Sequence, residues 1–478
     1  MTVVPASQVA ALRTQVHGQF ARLRADLVDL VRIPSVSAPA FDQRHVAGSA
    51  AAVADLLRGL GLPDVEVLSV PGGRPAVVGR VPAAAGAPTV LLYAHHDVQP
   101  PGAREAWSSD PFEPERRGDR LFGRGAADDK AGVVAHVGAL RALLAEAGPE
   151  ADGAHLAPGS LGVGVTVFVE GEEEIGSPTF VEFLHAHRER LAADVVVVAD
   201  SSNWKVGVPA LTTSLRGLVD LEVEVAVLDH AVHSGMFGGP VLDAVTLLAR
   251  LVATLHDDAG DVAVAGLVHA PDPLVDYDEG DYRSDASVLE GVELAGTGPL
   301  TARLWTRPAI SVIGIDATSV AEASNTVAPR ASAKLSVRLA PGQDPGAALR
   351  ALRAHLVANA PFGAHVTVRD GEQGQAFAAP TDSAAMQTAR WAFAEAWGVQ
   401  PVDIGVGGSI PFIADLLEVY PRAAVLVTGV EDPDSRAHGA NESVHLGELE
   451  KVVLAEALLL AGLARGAAGA AAQERTDA

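Results

Sequence analysis

The chain has 478 residues, of which 48% are hydrophobic and 20% charged, and its formal net charge at pH 7 is -25. This length exceeds that of one ordinary hydrophobic core and the composition is globular, so we expect two domains and exclude wholesale disorder. The negative charge argues against nucleic acid or an anionic membrane as the main partner, and the absence of cysteine excludes disulfides and thiolate metal sites.

The first part of the chain alternates between helical and strand-like patterns. Hydrophobic residues at helical spacing predict helices over 8–31 and 45–60, and a Gly-rich turn leads into an Ala-rich helix over about 129–147. Short apolar runs rich in β-branched residues predict buried strands at 65–70, 76–80, 89–94, 162–170 and 194–200. This alternation predicts a doubly wound α/β domain.

Beyond Ser214 the periodicity changes. Residues 218–228 alternate apolar with acidic side chains, which predicts a half-exposed strand. The elements expected after it are a helix, two strands, a helix and a strand, at 240–257, 309–315, 331–340, 345–359 and 365–370. If the acidic segment 258–300 is set aside as irregular, this β-α-β-β-α-β order predicts a ferredoxin-like α+β unit.

The α/β pattern then resumes, with helices expected over 383–397 and 446–463 and a strand over 423–428. The ferredoxin-like unit is therefore predicted as an insertion. We expect one domain from residues 1–213 and 383–478, and a second from residues 214–382. The N-terminus has no basic region followed by an apolar core, and no apolar stretch has the length of a membrane span, so we expect a soluble, cytoplasmic protein.

Acidic residues and histidines collect where the predicted strands end. They are His95, Asp97, Asp128, Asp129, Glu172, Glu173, Glu174, Asp200 and His438. Taken singly, each has an ordinary explanation, such as a helix cap or a solvated surface charge. In open α/β sheets, however, ligands bind beyond the carboxyl ends of the strands, and carboxylates crowded there repel one another unless a cation is bound. The pattern predicts a site for a pair of divalent ions, and its oxygen and nitrogen ligands suit zinc, cobalt or manganese.

A set of short motifs resembles the M20 family of metallopeptidases, in its dipeptidase and carnosinase-like branch. The motifs are AHHDVQP (94–100), WSSDPFEP (107–114), LFGRGAADDKAG (121–132), EGEEEIGS (170–177), VVVADSSNW (196–204), HSGMFGGP (233–240), SVRLAPG (336–342), GGSIP (407–411) and AHGANE (437–442). Each motif alone is weak, but their occurrence in this order across both predicted domains is specific. Ala94 and Ala131 depart from the family pattern without removing a metal ligand.

The resemblance implies a catalytic domain with two divalent metal ions, expected to be zinc, with manganese or cobalt compatible. It assigns as ligands His95, Asp128, Glu174, Asp200 and His438, with Asp128 bridging both ions. Glu173 is implied as general base and acid, and Asp97 as a neighbour of the ligands that raises their basicity. His96 and Glu172 occupy positions that vary in the family and receive no catalytic role.

The resemblance also implies how a substrate is held. His233 is assigned as the donor that stabilises the oxyanion, supplied by the lid domain of a partner subunit, so a homodimer through the inserted lid/dimerisation domain is expected. Arg338 is expected to bind the terminal carboxylate of the substrate, for which a guanidinium is well shaped. Asn325, Gly408 and Ser409 are expected to line the substrate site.

The expected function is hydrolysis of the amide bond of dipeptides or short peptides by a metal-activated water, with Glu173 as the base. Asp200 stands where carboxypeptidase-like relatives more often carry Glu, which favours dipeptidase chemistry. Two alternatives stay open: an N-acyl-amino-acid deacylase on the same scaffold, and a catalytically silent binding protein. The intact Glu173 and the complete ligand set argue against the silent protein.

Overall fold

The computed structural model describes residues 4–147, 156–407 and 411–477. The chain forms two compact units, each described separately below. The first consists of Met1–Thr213, Ala379–Asp403 and Asp415–Ala478, and the second of Ser214–Ala378 and Ile404–Ala414. None of the helices in the described ranges is long and apolar enough to cross a membrane.

The helices and strands have the following bounds. The α-helices are Ala6–Val31, Arg44–Arg58, Lys130–Ala147, Phe180–Ala186, Arg188–Leu191, Ser234–Phe237, Ala244–Ala253, Glu279–Asp285, Leu300–Trp305, Pro345–Ala358, Ala384–Trp397, Pro411–Val419 and Leu446–Asp477. The 3-10 helices are Arg104–Ala106, Glu173–Ile175, Val320–Glu322 and Pro361–Gly363. The strands are Asp64–Leu68, Ala76–Val81, Thr89–His95, Glu115–Arg117, Arg120–Phe122, Gly164–Glu170, Val195–Val198, Ala210–Leu215, Gly217–Ala226, Val232–His233, Ala309–Asp316, Thr326–Val327, Arg330–Leu339, His365–Gly374, Phe377–Ala378, Val402–Val406, Ala424–Val427 and Ser443–His445.

Every helix and strand predicted from the sequence is present, with ends that differ by a few residues. The last helix continues to Asp477, well past the predicted end at residue 463. The added residues are rich in alanine, which has the highest helix propensity of any residue. Among the elements that were not predicted are the strands Ala210–Leu215 and Val402–Val406 and the helix Pro411–Val419.

The first unit is built on a mixed sheet with a parallel centre. Its four parallel strands lie in the order Gly164–Glu170, Thr89–His95, Val195–Val198 and Ala424–Val427. All four are nearly or completely buried, as expected for strands covered on both faces. Because they run in the same direction, the segments that follow them emerge at one edge of the sheet. The α/β fold predicted for this part of the chain is confirmed.

Three long helices of the first unit pack against one another in its hydrophobic core. They are Ala6–Val31, Lys130–Ala147 and Leu446–Asp477, and their contact passes through Gly138. A Cβ at Gly138 would lie 2.8 Å from both Leu23 Cδ1 and Val453 Cγ1, so the helices approach closely only because this residue is glycine. The core thereby fixes the helix that starts immediately after Asp128 and Asp129.

The second unit contains a four-stranded antiparallel sheet with two helices, Ala244–Ala253 and Pro345–Ala358, packed against it. The strand order is Ala309–Asp316, Arg330–Leu339, Gly217–Ala226 and His365–Gly374, which is the ferredoxin-like order. Side chains alternate along Gly217–Ala226, and the buried ones pack with leucines of Ala244–Ala253 and Pro345–Ala358. The acidic segment 258–300 contains one short helix, Glu279–Asp285, and is otherwise irregular up to Leu300.

Candidate metal centre

Asp128 lies between two histidines that are distant in sequence. Its Oδ1 is 3.0 Å from His95 Nε2, and its Oδ2 is 3.0 Å from His438 Nε2. His95 ends the buried strand Thr89–His95, whereas His438 lies in a turn with its side chain 60% exposed. One carboxylate therefore presents a separate oxygen to each imidazole.

Two groups of potential ligand atoms share Asp128. One contains His95, Asp128 and Asp200, the other Asp128, Glu174 and His438, and within each group the atoms lie within 4.8 Å of one another. Each group combines imidazole nitrogen with carboxylate oxygen, which is a donor set for zinc, manganese or cobalt. The structure thus brings together the five residues that the sequence analysis singled out as ligands.

The carboxylates and imidazoles of these two groups lie close together, and their opposite charges shift one another's pKa values. Hydrogen bonds with Asp128 and then with Glu174 raise the pKa of His438 to about 11. Burial, reinforced by the charges of Asp128 and Glu174 and opposed by His95, raises the pKa of Asp200 to about 7. Protons therefore offset the repulsion between carboxylates here, and a divalent cation would displace them on binding. The residues fit a metal site.

Glu173 lies beside these groups on the 3-10 helix Glu173–Ile175, with its side chain 24% exposed. Its Oε2 is 4.0 Å from His95 Nε2. Burial, aided by the carboxylates of Asp200 and Glu174 and opposed by His95, raises the pKa of Glu173 to about 9. A group at this place, in contact with solvent and with a high proton affinity, is suited to proton transfer.

Asp97 connects the strand end to that 3-10 helix. Asp97 is fully buried. His95 Nδ1, the nitrogen opposite the one that faces Asp128, lies 3.1 Å from the Asp97 carbonyl oxygen and 3.5 Å from its carboxylate Oδ1. Its carboxylate also accepts the backbone N–H groups of Glu173 at 3.2 Å and Glu174 at 3.1 Å. Asp97 therefore holds both the His95 ring and the segment that carries Glu173 and Glu174.

Two residues that position the site were not given a role by the sequence analysis. Gln99 donates its backbone N–H to Glu174 Oε1 at 3.0 Å and its side-chain amide to Oε2 at 2.8 Å. Glu442 accepts the backbone N–H groups of Ala127 at 2.9 Å and Asp128 at 3.1 Å, which fixes the turn that carries Asp128. Both belong to motifs quoted above, AHHDVQP and AHGANE, and that membership was the available signal.

Three further polar residues near the centre have structural partners. His96 is buried, and its Nε2 lies 2.9 Å from the carbonyl oxygen of Pro75. Glu172 accepts the N–H and hydroxyl groups of Thr179 at 2.8 and 2.6 Å. Asp129 accepts the N–H of His95 at 3.2 Å. These contacts orient the loops around the centre.

The predicted substrate-binding residues lie elsewhere in the chain. His233 and Asn325 belong to the second unit, where the Asn325 carbonyl accepts the N–H of Ser234 at 2.9 Å and His233 pairs with Thr326. Arg338, on the strand Arg330–Leu339, belongs to the same unit. Gly408 and Ser409 lie outside the described residues.

Comparison with known proteins identifies relatives of this chain. The sequence profile of peptidase family M20/M25/M40 matches residues 91–461. The cysteinylglycine-S-conjugate dipeptidase of Corynebacterium striatum is 35% identical over 392 residues, which cover 80% of this chain and 83% of that protein. The Beta-Ala-His dipeptidase of Homo sapiens is 27% identical over 409 residues, covering 80% of this chain and 76% of that protein.

Two of the solved structures with a similar fold are those of dipeptidases. The crystal structure of human carnosine dipeptidase 1 matches with a TM-score of 0.72 and 25% identity, over 96% of this chain and 100% of that one. The structure of the dipeptidase Dug1p from Saccharomyces cerevisiae also matches with a TM-score of 0.72, at 21% identity, over 95% of this chain and 98% of that one. The second match concerns the fold alone.

Proposed function

The chain belongs to peptidase family M20/M25/M40, and from this membership we propose that it hydrolyses the amide bond of dipeptides or short peptides. The observation that carries the proposal is the position of Asp128, shared between two groups of potential ligand atoms. The dipeptidase names of the relatives from Corynebacterium striatum and Homo sapiens support the substrate class.

The proposed metal centre contains two divalent ions. His95, Asp128 and Asp200 would hold one, and Asp128, Glu174 and His438 the other. Zinc fits this donor set, and manganese and cobalt are compatible with it. When bound, such a pair lowers the pKa of a coordinated water and polarises the scissile carbonyl.

Glu173 is the proposed general base and acid. Its carboxylate is partly exposed and lies beside His95, and its backbone is held by Asp97. From this position it takes a proton from the attacking water and later delivers that proton to the leaving amine. Asp97 keeps the His95 ring oriented toward Asp128 while this happens.

The second unit is proposed to contribute substrate contacts. His233 is exposed and would stabilise the oxyanion in the partner subunit's site, while Arg338 would bind the substrate carboxylate and Asn325, with Gly408 and Ser409, would line the pocket. This arrangement requires a homodimer through the second unit. The edge strand Ala309–Asp316 supports it, since its Ile313 and Ile315 side chains are 55% and 63% exposed. A cytoplasmic location stays a prediction.

A substrate panel tests the proposed function. Protein stripped of metal and reloaded with a single divalent metal would be assayed against dipeptides and against N-acetyl amino acids. We expect hydrolysis of dipeptides that depends on the added metal. Activity confined to the N-acetyl amino acids would replace the proposal by a deacylase, and absence of any hydrolysis would exclude both enzymes.

A further inference from the structure

Glu431 lies at the rim of the candidate metal centre, in the loop that follows the parallel strand Ala424–Val427. Its backbone N–H donates to the Ser201 carbonyl at 3.4 Å, and its carbonyl accepts the N–H of Asn203 at 2.8 Å. Ser201 comes directly after Asp200, one of the proposed metal ligands. The two parallel strands are neighbours in the sheet, and the chain segments that follow them pair at Glu431 and at Ser202, two residues beyond Asp200.

The loop that carries Glu431 is held on both sides. A Cβ at Gly429 would lie 1.5 Å from the Ser201 carbonyl oxygen, so the loop reaches this position only because residue 429 is glycine. The side-chain amide of Asn203 donates to the Gly429 carbonyl at 3.2 Å. On the other side of Glu431, the buried Asp432 forms an ion pair with Arg120. The backbone of Glu431 is therefore fixed relative to the metal centre.

The side chain of Glu431 has neither a hydrogen bond nor an ion pair with any residue that the structure describes. Its surroundings are acidic, and burial together with the charges of Asp128, Asp200 and Glu442 holds the pKa of Glu431 well above its ordinary value, against the opposing effect of His438. Two buried acids of the same segment differ in this respect, because Asp432 pairs with Arg120 and Glu442 with Arg124. Glu431 is thus an acidic side chain without a cationic partner among the residues that the structure describes.

A role as an additional metal ligand does not explain Glu431. Glu431 belongs to neither of the two groups of potential ligand atoms that share Asp128. In a dipeptide, the α-nitrogen is joined to the scissile carbonyl carbon through a single Cα, so the two atoms are about 2.5 Å apart. Any residue that recognises the α-ammonium group must therefore lie at the edge of the metal centre, where Glu431 lies.

Building on the proposed function, we propose that Glu431 binds the α-ammonium group of the substrate and selects peptides with a free amino terminus. The contact is a charge-assisted hydrogen bond from the ammonium group to the carboxylate. It places the scissile carbonyl over the metal ligands. An acylated amino terminus carries no positive charge and would leave Glu431 without a partner. Glu431 is a specificity-determining residue in this role, and it takes no part in the proton transfers assigned to Glu173.

The test compares two substrates that differ only in the α-amino group, alanyl-alanine and propionyl-alanine, in the metal-loaded full-length enzyme. The quantity measured is the ratio of their kcat/KM values. We expect Glu431→Gln to lower this ratio roughly 10- to 100-fold, mainly through a higher KM for alanyl-alanine. Glu431→Asp, which keeps the charge on a shorter side chain, is expected to lower it less. The matched control is Asp434→Asn, which removes an exposed charge three residues further along the same loop.

The outcomes separate the two proposals. If Glu431→Gln lowers kcat/KM equally for both substrates, or reduces the bound metal measured by mass spectrometry, Glu431 does not recognise the amino group although the enzyme is a dipeptidase. If the wild-type enzyme cleaves dipeptides no faster than their desamino analogues, amino-terminal recognition is absent and the inference is overturned. If the wild type cleaves no dipeptide under any metal, the proposed function fails and this inference fails with it.

Discussion

The imidazole of His95 lies 3.0 Å from Asp128, Nε2 to Oδ1, and this contact joins the end of a buried strand to the start of a helix. The other oxygen of the same carboxylate faces His438 at the same distance. Glu442 accepts the backbone N–H groups of Ala127 and Asp128 and so holds the backbone of Asp128 in place. The Asp128 side chain thus contacts residues from two other motifs, and the motif that contains His438 is about three hundred residues away in the sequence.

Replacing Glu173 by glutamine is expected to abolish most of the hydrolysis and leave the metal content unchanged. General acid–base catalysis contributes roughly 10²- to 10⁴-fold, and we expect kcat to fall by that factor. The measurement is steady-state kinetics on the metal-loaded variant, with bound metal determined in the same preparation. Glu182→Gln, on the exposed face of the helix Phe180–Ala186, is the control. Undiminished kcat in Glu173→Gln would remove Glu173 from its role as base.

Replacing Asp97 by asparagine is expected to weaken metal binding. Asp97 orients His95 and accepts the N–H groups of Glu173 and Glu174, and loss of such a partner costs roughly 10- to 100-fold in metal affinity or activity. Competition with a chelator of known affinity measures the change. Asp55→Asn, which removes a carboxylate 76% exposed on the helix Arg44–Arg58, should bind metal as the wild type does. An unchanged metal affinity in Asp97→Asn would contradict the positioning role.

Replacing Arg338 by methionine is expected to raise KM for dipeptides roughly 10-fold or more, since a charged hydrogen bond to the substrate carboxylate is lost. Arg338→Lys should restore only part of the affinity, because an ammonium group cannot form the paired hydrogen bonds of a guanidinium. Arg350→Met, at a 76% exposed position of the same unit, is the matched control. If Arg338→Met raises KM as much for dipeptide amides, which lack the carboxylate, as for dipeptides, Arg338 does not bind that group.

The buried pair of His136 and Glu456 predicts a pH dependence of stability. His136 Nδ1 lies 2.9 Å from the Glu456 carboxylate and Nε2 lies 3.0 Å from the Tyr93 carbonyl oxygen. Burial lowers the pKa of His136, but the charge and hydrogen bond of Glu456, together with the hydrogen bond to the Tyr93 carbonyl, raise it by more, so the pKa is above its ordinary value in the folded state. The pair therefore stabilises the fold fully below the unfolded-state pKa of about 6.5, and this contribution is lost as the pH rises through the folded-state pKa.

We accordingly expect His136→Gln to lower the free energy of unfolding by about 3 kcal/mol at pH 6, because Glu456 is left buried without its partner. The difference from the wild type should shrink as the pH is raised to 9. Urea unfolding at fixed metal concentration measures it, and His17→Gln, at an 82% exposed ion pair, should show no such trend. A difference that grows with pH would contradict the assigned sign.

Local sequence patterns predicted where the site lies, because apolar runs predict the strands and polar residues follow their ends, whereas the roles of His95, Asp97 and Glu173 came from the resemblance to the M20 family. The contacts that position those residues depend on the folded chain. Glu442 reaches the N–H of Asp128 across 314 residues, and no local pattern encodes this hydrogen bond. The approach of Glu431 to the site requires glycine at position 429, because a side chain there would collide with the backbone of Ser201. The sequence alone does not show that these two residues are in contact. The strand Ala210–Leu215 escaped prediction because its short, Thr- and Ser-containing run resembles a loop.

The most direct test of the account is the return of activity as metal is added to the metal-free enzyme. Hydrolysis of a cleaved dipeptide would be followed while a single divalent metal is titrated in, for the wild type and for Asp128→Ala. If Asp128 bridges a pair of ions, wild-type activity should rise until about two equivalents are bound, and Asp128→Ala should stay inactive at any metal concentration. Wild-type activity that is complete at one equivalent, or that survives in Asp128→Ala, would contradict the shared-carboxylate centre.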